Sequence, residues 1–114
     1  MLKDDMRRLL DIQDCQLIIE ESNILHSELE EGSFSELKSK IETLRVGLSD
    51  RLLANYDRLR ARGVAVAREQ DGRCKACHMP IATGDLARFE RSTDPCMCPN
   101  CHVYLYLSAY EKEA

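Results

Sequence analysis

Two short cysteine pairs, Cys74-Lys75-Ala76-Cys77 and Cys98-Pro99-Asn100-Cys101, decide the fold predicted for this chain. The pairs lie about twenty residues apart, close to the spacing of a four-cysteine zinc site. Each C-x-x-C pair can form a tight loop, here called a knuckle, that presents two thiolates to one ion. Four sulfurs complete a tetrahedral site and leave no position for water or substrate. The pattern therefore predicts one structural Zn²⁺ per chain, bound by Cys74, Cys77, Cys98 and Cys101.

A histidine follows each pair, so both motifs also read C-x-x-C-H, the attachment signature of a c-type haem. On that interpretation His78 and His102 would ligate two haems, with Met79 and Met97 as candidate axial ligands. Haem attachment requires export, and the first eight residues show neither the apolar segment nor the small-residue cleavage site of a signal peptide. The sequence favours zinc and leaves a c-type cytochrome as the least favoured alternative.

Composition narrows the class of protein. The chain has 114 residues, with 5% aromatic and 32% charged residues, which is typical of exposed helices with a small attached module. No apolar run reaches the length of a bilayer span, and four of the six cysteines lie in metal-type pairs. We therefore predict a soluble, cytoplasmic protein in a reducing compartment, without membrane contact.

The two remaining cysteines are less informative. Cys15 lies in a helical pattern and is interpreted as a small buried apolar residue. Cys96 lies two residues before Cys98 and could replace it as a ligand, although the C-x-x-C spacing favours Cys98.

Apolar residues at every third or fourth position predict one helix over residues 2 to about 30. A second apolar track, formed by Leu10, Leu17 and Ile24, repeats every seven residues and lies about 100° around the helix from the first. One track suffices for a two-helix hairpin. The second track predicts another helix at that face, most simply from a second copy of the chain in a homodimer.

A turn near residues 31–36 is predicted to end the first helix. Gly32 suits a helix end, and Ser33 with Glu36 has the spacing of a capping box that starts the next helix. That helix is predicted to run to about residue 62 in coiled-coil register with the first, with Gly47 as a weak point. Its apolar stripe consists of Leu37, Ile41, Leu44, Leu48, Leu52 and Leu59.

Strand-like patterns at residues 64–68 and 103–107 flank the two knuckles, and residues 85–91 fit a strand or a helical turn equally well. The predicted fold is α+β: an antiparallel two-helix coiled-coil hairpin (1–62), then a small four-cysteine zinc ribbon (63–110) and a tail (111–114). We call residues 63–110 the ribbon segment. So small a sheet is expected to need metal for much of its folding free energy.

Five short segments in order resemble the bacterial four-cysteine zinc-ribbon family with an N-terminal coiled-coil hairpin, which includes flagellar and secretion-associated regulatory proteins. These segments are Tyr56–Leu59, Gly63–Val66, Cys74–Pro80, Cys98–Cys101 and Tyr104–Tyr106. The resemblance implies a non-enzymatic adaptor that binds proteins such as an alternative sigma factor or an export component and, in some members, RNA. The chain departs from the family in its shorter helical arm and in His102, where glycine is common.

Two further functions stay open. A hairpin with a four-cysteine finger also resembles regulators that insert a coiled coil into RNA polymerase, and glutamates surround the predicted tip, although the paired tip aspartates are absent. Basic residues outnumber acidic ones in residues 51–75, which is compatible with phosphate contacts and stacking on Tyr104 and Tyr106. The candidate phosphate ligands are Arg51, Arg58, Arg60, Arg62, Arg68, Arg73 and Lys75. No catalytic set or open metal site is recognisable, so we expect no enzyme.

Overall fold

The computed structural model describes residues 2–24 and 31–112. Within those ranges the elements are α1 (Leu2–Ile24), α2 (Glu31–Arg45), α3 (Asp50–Arg60), β1 (Val66–Gln70), β2 (Arg73–Cys74), α4 (Thr83–Arg91), β3 (Tyr104–Tyr106) and α5 (Ser108–Lys112). Helices with one small sheet confirm the predicted α+β class. No helix in the described part of the chain is both long and apolar enough to cross a membrane.

The predicted turn at residues 31–36 is helical, because α2 already begins at Glu31. The chain that joins α1 to α2 falls at residues 25–30, outside the described residues, as does His26. Phe34 and Leu37 are half-buried and continue the apolar stripe of α2. A glycine inside a helix costs only about 1 kcal/mol, so this stripe outweighs the helix-ending preference of Gly32.

The predicted single helix to residue 62 is wrong, because the chain breaks at Gly47 into α2 and α3. Gly47 has φ +92, in the left-handed region that favours glycine, and a Cβ there would lie 3.1 Å from Arg8 Nη1. Ser49 then starts α3, since its hydroxyl accepts a hydrogen bond from the Leu52 backbone N–H at 3.1 Å. Gly47 thus reverses the chain, and Ser49 restarts the helix.

Helix α3 runs beside α1 in the same direction. Its first turn lines a cavity together with Leu2 and Asp5 at the start of α1. Near its end, Arg60 pairs with Glu20 at 2.6 Å, and the Tyr56 hydroxyl donates to Gln16 Oε1 at 2.7 Å. The helical part is therefore three helices, and the predicted coiled-coil packing of the first two stays a prediction.

The sheet has the strand order β2-β1-β3. Strands β1 and β2 form an antiparallel hairpin through Asp71 and Gly72, whose φ angles of 53 and 77 are those of a tight two-residue hairpin turn. Strand β3 pairs with β1 in parallel, with Val66 opposite Tyr104. The strands on either side of the two knuckles are therefore neighbours. The segment 85–91 that the sequence left open belongs to helix α4.

One hydrophobic core joins the helices to the ribbon segment. It includes buried side chains of α1 and α3 and of both flanking strands, together with Cys74 and Cys98 of the two knuckles. The core crosses residue 62, where the sequence suggested a division into domains. The predicted tail is helical at its start, because α5 continues to Lys112 and buries Tyr110 against the core.

Candidate metal centre

The two knuckles have the same backbone hydrogen bonds. In the first knuckle the His78 N–H donates to the Cys74 carbonyl at 2.8 Å, and in the second the His102 N–H donates to the Cys98 carbonyl at 2.9 Å. The Cys74 N–H donates to Met79 O at 3.2 Å, and in the same way the Cys98 N–H donates to Val103 O at 2.8 Å. Each sequence therefore closes locally into a loop that turns both of its sulfurs to one side.

The structure brings the four predicted cysteines together, with all four Sγ atoms within 4.8 Å of one another. Cys74 Sγ lies 3.7 Å from Cys101 Sγ, and Cys77 Sγ lies 3.8 Å from Cys98 Sγ. A tetrahedron of sulfurs at the usual Zn–S distance has edges of about 3.8 Å. These separations are far longer than a disulfide bond of about 2.05 Å. The four cysteines are positioned to hold a metal ion.

The cluster is half enclosed. Cys74 and Cys98 are fully buried, at 0% and 1% exposure, whereas Cys77 and Cys101 are partly exposed. Each knuckle therefore contributes one sulfur from the core and one from the surface. This arrangement would tie a bound metal ion to the core while leaving one side of it near solvent.

The thiols differ in acidity. Hydrogen bonds from the Met79 backbone and from Asn100, whose Nδ2 lies 3.6 Å from the sulfur, lower the pKa of Cys77 to about 6. Burial raises the pKa of Cys101 to about 12 and also raises the pKa of Cys74. A metal ion binds thiolates, so it displaces protons from Cys74 and Cys101 at neutral pH. Metal affinity should accordingly fall as the pH falls.

The other two cysteines lie outside the cluster. Cys96 is 4% exposed, and its Sγ lies 3.6 Å from the carbonyl oxygens of Phe89 and Asp94. Burial raises the pKa of the Cys96 thiol, which keeps it protonated. Cys15 is buried on α1, as predicted from the sequence.

The histidines that suggested haem attachment have a backbone role. His78 and His102 both have φ 64, in the left-handed region, because the chain reverses there after the second cysteine of each knuckle. Both are exposed, as are Met79 and Met97. The four sulfurs converge on one point, which favours a single ion over two separate haem groups.

The left-handed backbone at His102 gives a testable prediction. His102→Gly should be tolerated, with a change in the free energy of unfolding below about 1 kcal/mol, because glycine adopts this conformation readily. His102→Val should cost about 1–2 kcal/mol, because a β-branched residue is strained there. Thermal unfolding of the metal-loaded chain measures both, and both variants should retain the metal. Loss of metal in His102→Gly would instead indicate that the His102 imidazole is a metal ligand.

Two buried polar residues that support the site were not predicted from the sequence. Gln13 on α1 is 4% exposed and hydrogen-bonds to the backbone at the start of β1. Glu69 on β1 is 3% exposed, and its carboxylate accepts hydrogen bonds from the Gly72 N–H at 2.9 Å and the Ser108 N–H at 3.0 Å. A polar residue in an otherwise apolar stripe was the only available signal at Gln13.

The predicted phosphate ligands are not one exposed group. Arg60 donates to Gln16, to Gly63 and to Glu20, so its guanidinium holds the helices together. Arg68 pairs with Glu111 at 3.1 Å, and Arg73 donates to a backbone carbonyl. The rings proposed for base stacking are buried, since Tyr104 and Tyr106 are 4% and 6% exposed.

Comparison with known proteins does not extend this picture. No protein-family model matches the chain. No curated protein and no solved structure is significantly similar to it either. The likeness to the zinc-ribbon family thus depends on the motifs quoted above and stays a prediction.

Proposed function

We propose that this chain is a non-enzymatic, zinc-binding adaptor or regulatory protein that acts through contacts with other proteins. The observation that carries the metal assignment is the convergence of four cysteine sulfurs with separations of 3.7 and 3.8 Å. Four thiolates in a tetrahedron favour zinc, or iron as the main competitor, over the hard cations Mg²⁺ and Ca²⁺. Nothing but protein sulfur is needed to complete such a site.

The same geometry supports a structural role for the ion. When four protein sulfurs occupy all positions of a tetrahedral metal, no position is left for a substrate or an activated water. The cysteines belong to the core that also buries Leu9 of α1 and Tyr56 of α3. A bound ion would therefore fix the surface that the helices present. Holding a surface in shape is what an adaptor requires of its metal.

The partner classes come from the family resemblance: an alternative sigma factor, RNA polymerase or a component of a secretion apparatus. A homodimer through α1 belongs to the same proposal. Packing within the chain accounts for part of the second apolar track, since Leu10 is 3% exposed. Leu17 stays half-buried and the adjacent Ile18 is 46% exposed, so this end of the helix remains available to a second copy.

Native mass spectrometry of the full chain tests the metal and the oligomer together. We expect one zinc per chain, lost on acidification because the thiolates that bind it become protonated. A mass of two chains would support the homodimer. A covalent haem mass, a bound iron or a metal-free folded chain would each contradict the zinc proposal, and the denatured mass of the same sample supplies the reference.

A further inference from the structure

Most arginines of this chain are engaged within the molecule. Five form ion pairs with carboxylates: Arg7, Arg45, Arg60, Arg68 and Arg88. Two more, Arg8 and Arg73, donate to backbone carbonyls. Four exposed arginines have no side-chain partner within residues 2–24 and 31–112, namely Arg51, Arg58, Arg62 and Arg91. Such unneutralised charges are candidates for contacts with another molecule.

Three of these four arginines, Arg51, Arg58 and Arg62, lie on one side of α3 and of the turn that continues it. Arg58 and Arg62 follow Arg51 by seven and eleven residues, and Asn55 follows it by four, so the helical period places all four side chains within a narrow sector. Arg62 lies just past the end of α3, in the turn that continues it, where its N–H donates to Leu59 O at 3.0 Å. We call Arg51, Asn55, Arg58 and Arg62 the arginine face. The charges extend about 16 Å along the helix.

The arginine face borders a cavity on the surface of the described structure. This cavity has a volume of about 620 Å³ and lies between α1, α3 and the segment that precedes the second knuckle. Arg51 and Asn55 form part of its edge, and apolar side chains form another part of its lining: Leu2, Leu52, Pro95, Met97 and Tyr104. Met97 is 37% exposed although it is large and apolar. A row of positive charge beside a partly apolar cavity is suited to a protein segment.

We propose that the arginine face binds an acidic, helix-forming segment of a partner protein, with one apolar side chain of that segment in the adjoining cavity. The proposal deepens the proposed adaptor function and rests on it. Carboxylates repeated at seven- and four-residue intervals on a helix would meet the arginines at matching distances. Arginine also binds carboxylates with two parallel hydrogen bonds, which gives direction as well as attraction.

The surroundings favour a protein partner over a nucleic acid. Asp5 and Asp94 also line the cavity, so the group that enters it should be uncharged, and a protein segment can supply an apolar side chain there. The two tyrosines predicted to stack on bases are buried. A short acidic helix could bind here through the three arginines and one apolar contact in the cavity.

Fluorescence anisotropy with defined helical peptides tests the proposal on the metal-loaded full chain. The probe carries glutamates at the spacing of the arginines and one leucine, and a matched peptide carries glutamine at the same positions. We expect the glutamine peptide to bind at least about tenfold more weakly. The triple variant Arg51→Gln, Arg58→Gln, Arg62→Gln should lose binding of the glutamate peptide to a similar extent. A serine in place of the leucine should also weaken binding if the cavity takes the apolar side chain.

Arg91→Gln is the matched control, because Arg91 is also exposed and has no side-chain partner among the described residues, but lies on α4. It should leave binding unchanged. Equal weakening by Arg91→Gln, no binding of the glutamate peptide, or equal or tighter binding of a single-stranded RNA of the same charge would each overturn the proposal. All substituted residues are exposed, so metal content and circular dichroism should match the parent chain. If the chain and the triple variant cross-linked equally well to one protein in host extract, the adaptor function would stand and this face would be rejected.

Discussion

Replacing Cys98 by serine is expected to release the metal and to unfold the ribbon segment. Cys98 Sγ lies 3.8 Å from Cys77 Sγ, and its side chain is 1% exposed, so serine would remove one of four ligands from the buried side of the cluster. A serine hydroxyl does not supply the soft thiolate that completes the site. The sheet around it is small, with two residues in β2 and three in β3. Structural zinc sites contribute about 10–16 kcal/mol in small zinc-dependent domains.

The loss should also reach the helices. The division at residue 62 that the sequence predicted would leave the helices folded after such a substitution. In the structure Met6 and Leu9 of α1 share one core with Cys74 and Cys98. Unfolding the ribbon segment would expose that end of α1. Far-ultraviolet circular dichroism during thermal unfolding, with metal content from native mass spectrometry, should therefore show loss of metal and partial loss of helix together.

Cys96→Ser provides the matched control, because Cys96 lies two residues away and is 4% exposed but does not belong to the cluster. We expect it to retain one metal per chain, with a destabilisation of about 1 kcal/mol from the altered buried contacts. Retention of metal by Cys98→Ser, or its loss from Cys96→Ser, would show that the ligand assignment is wrong. A full helical signal in metal-free Cys98→Ser would contradict the shared core.

The features that the sequence predicted well are determined by local chemistry. Within each knuckle, two sulfurs come together because a C-x-x-C loop turns them to one side within a few residues. The hairpin turn at Asp71 and Gly72 also has a local cause, because Asp-Gly is a common turn pair and both residues tolerate positive φ. The spacing of the apolar residues in α1 likewise predicted which side of the helix is buried. In each case the signal lies within one short stretch of chain.

The features that the sequence did not predict are decided by contacts between distant segments. Gly47 costs about 1 kcal/mol inside a helix, which does not distinguish a weak point from a chain reversal. The reversal is favoured because it buries Leu48, Leu52 and Tyr56 in the common core. The parallel pairing of β1 with β3 joins strands almost forty residues apart, and their local patterns carry no information about direction.

Replacing Gln13 by methionine should have the second large effect, because it removes three hydrogen bonds without removing volume. Gln13 Oε1 accepts from the Ala65 N–H at 2.6 Å and the Val66 N–H at 2.9 Å, and Nε2 donates to Val66 O at 2.7 Å. Each buried backbone group left without a partner costs about 1–3 kcal/mol. We expect the free energy of unfolding to fall by about 3 kcal/mol or more, measured as a lower midpoint of urea unfolding at unchanged slope.

This loss should be distinguishable from loss of the metal. Gln13 lies on α1 and contacts β1 before the first knuckle, so the native variant should still bind one metal per chain. Asp14→Ala, at the exposed neighbouring position, should change stability by less than about 0.5 kcal/mol. If Gln13→Met were as stable as the parent chain, these hydrogen bonds would not join α1 to the ribbon segment. If folded Gln13→Met lost its metal, metal binding by the cysteine cluster would depend on α1 more directly than these contacts indicate.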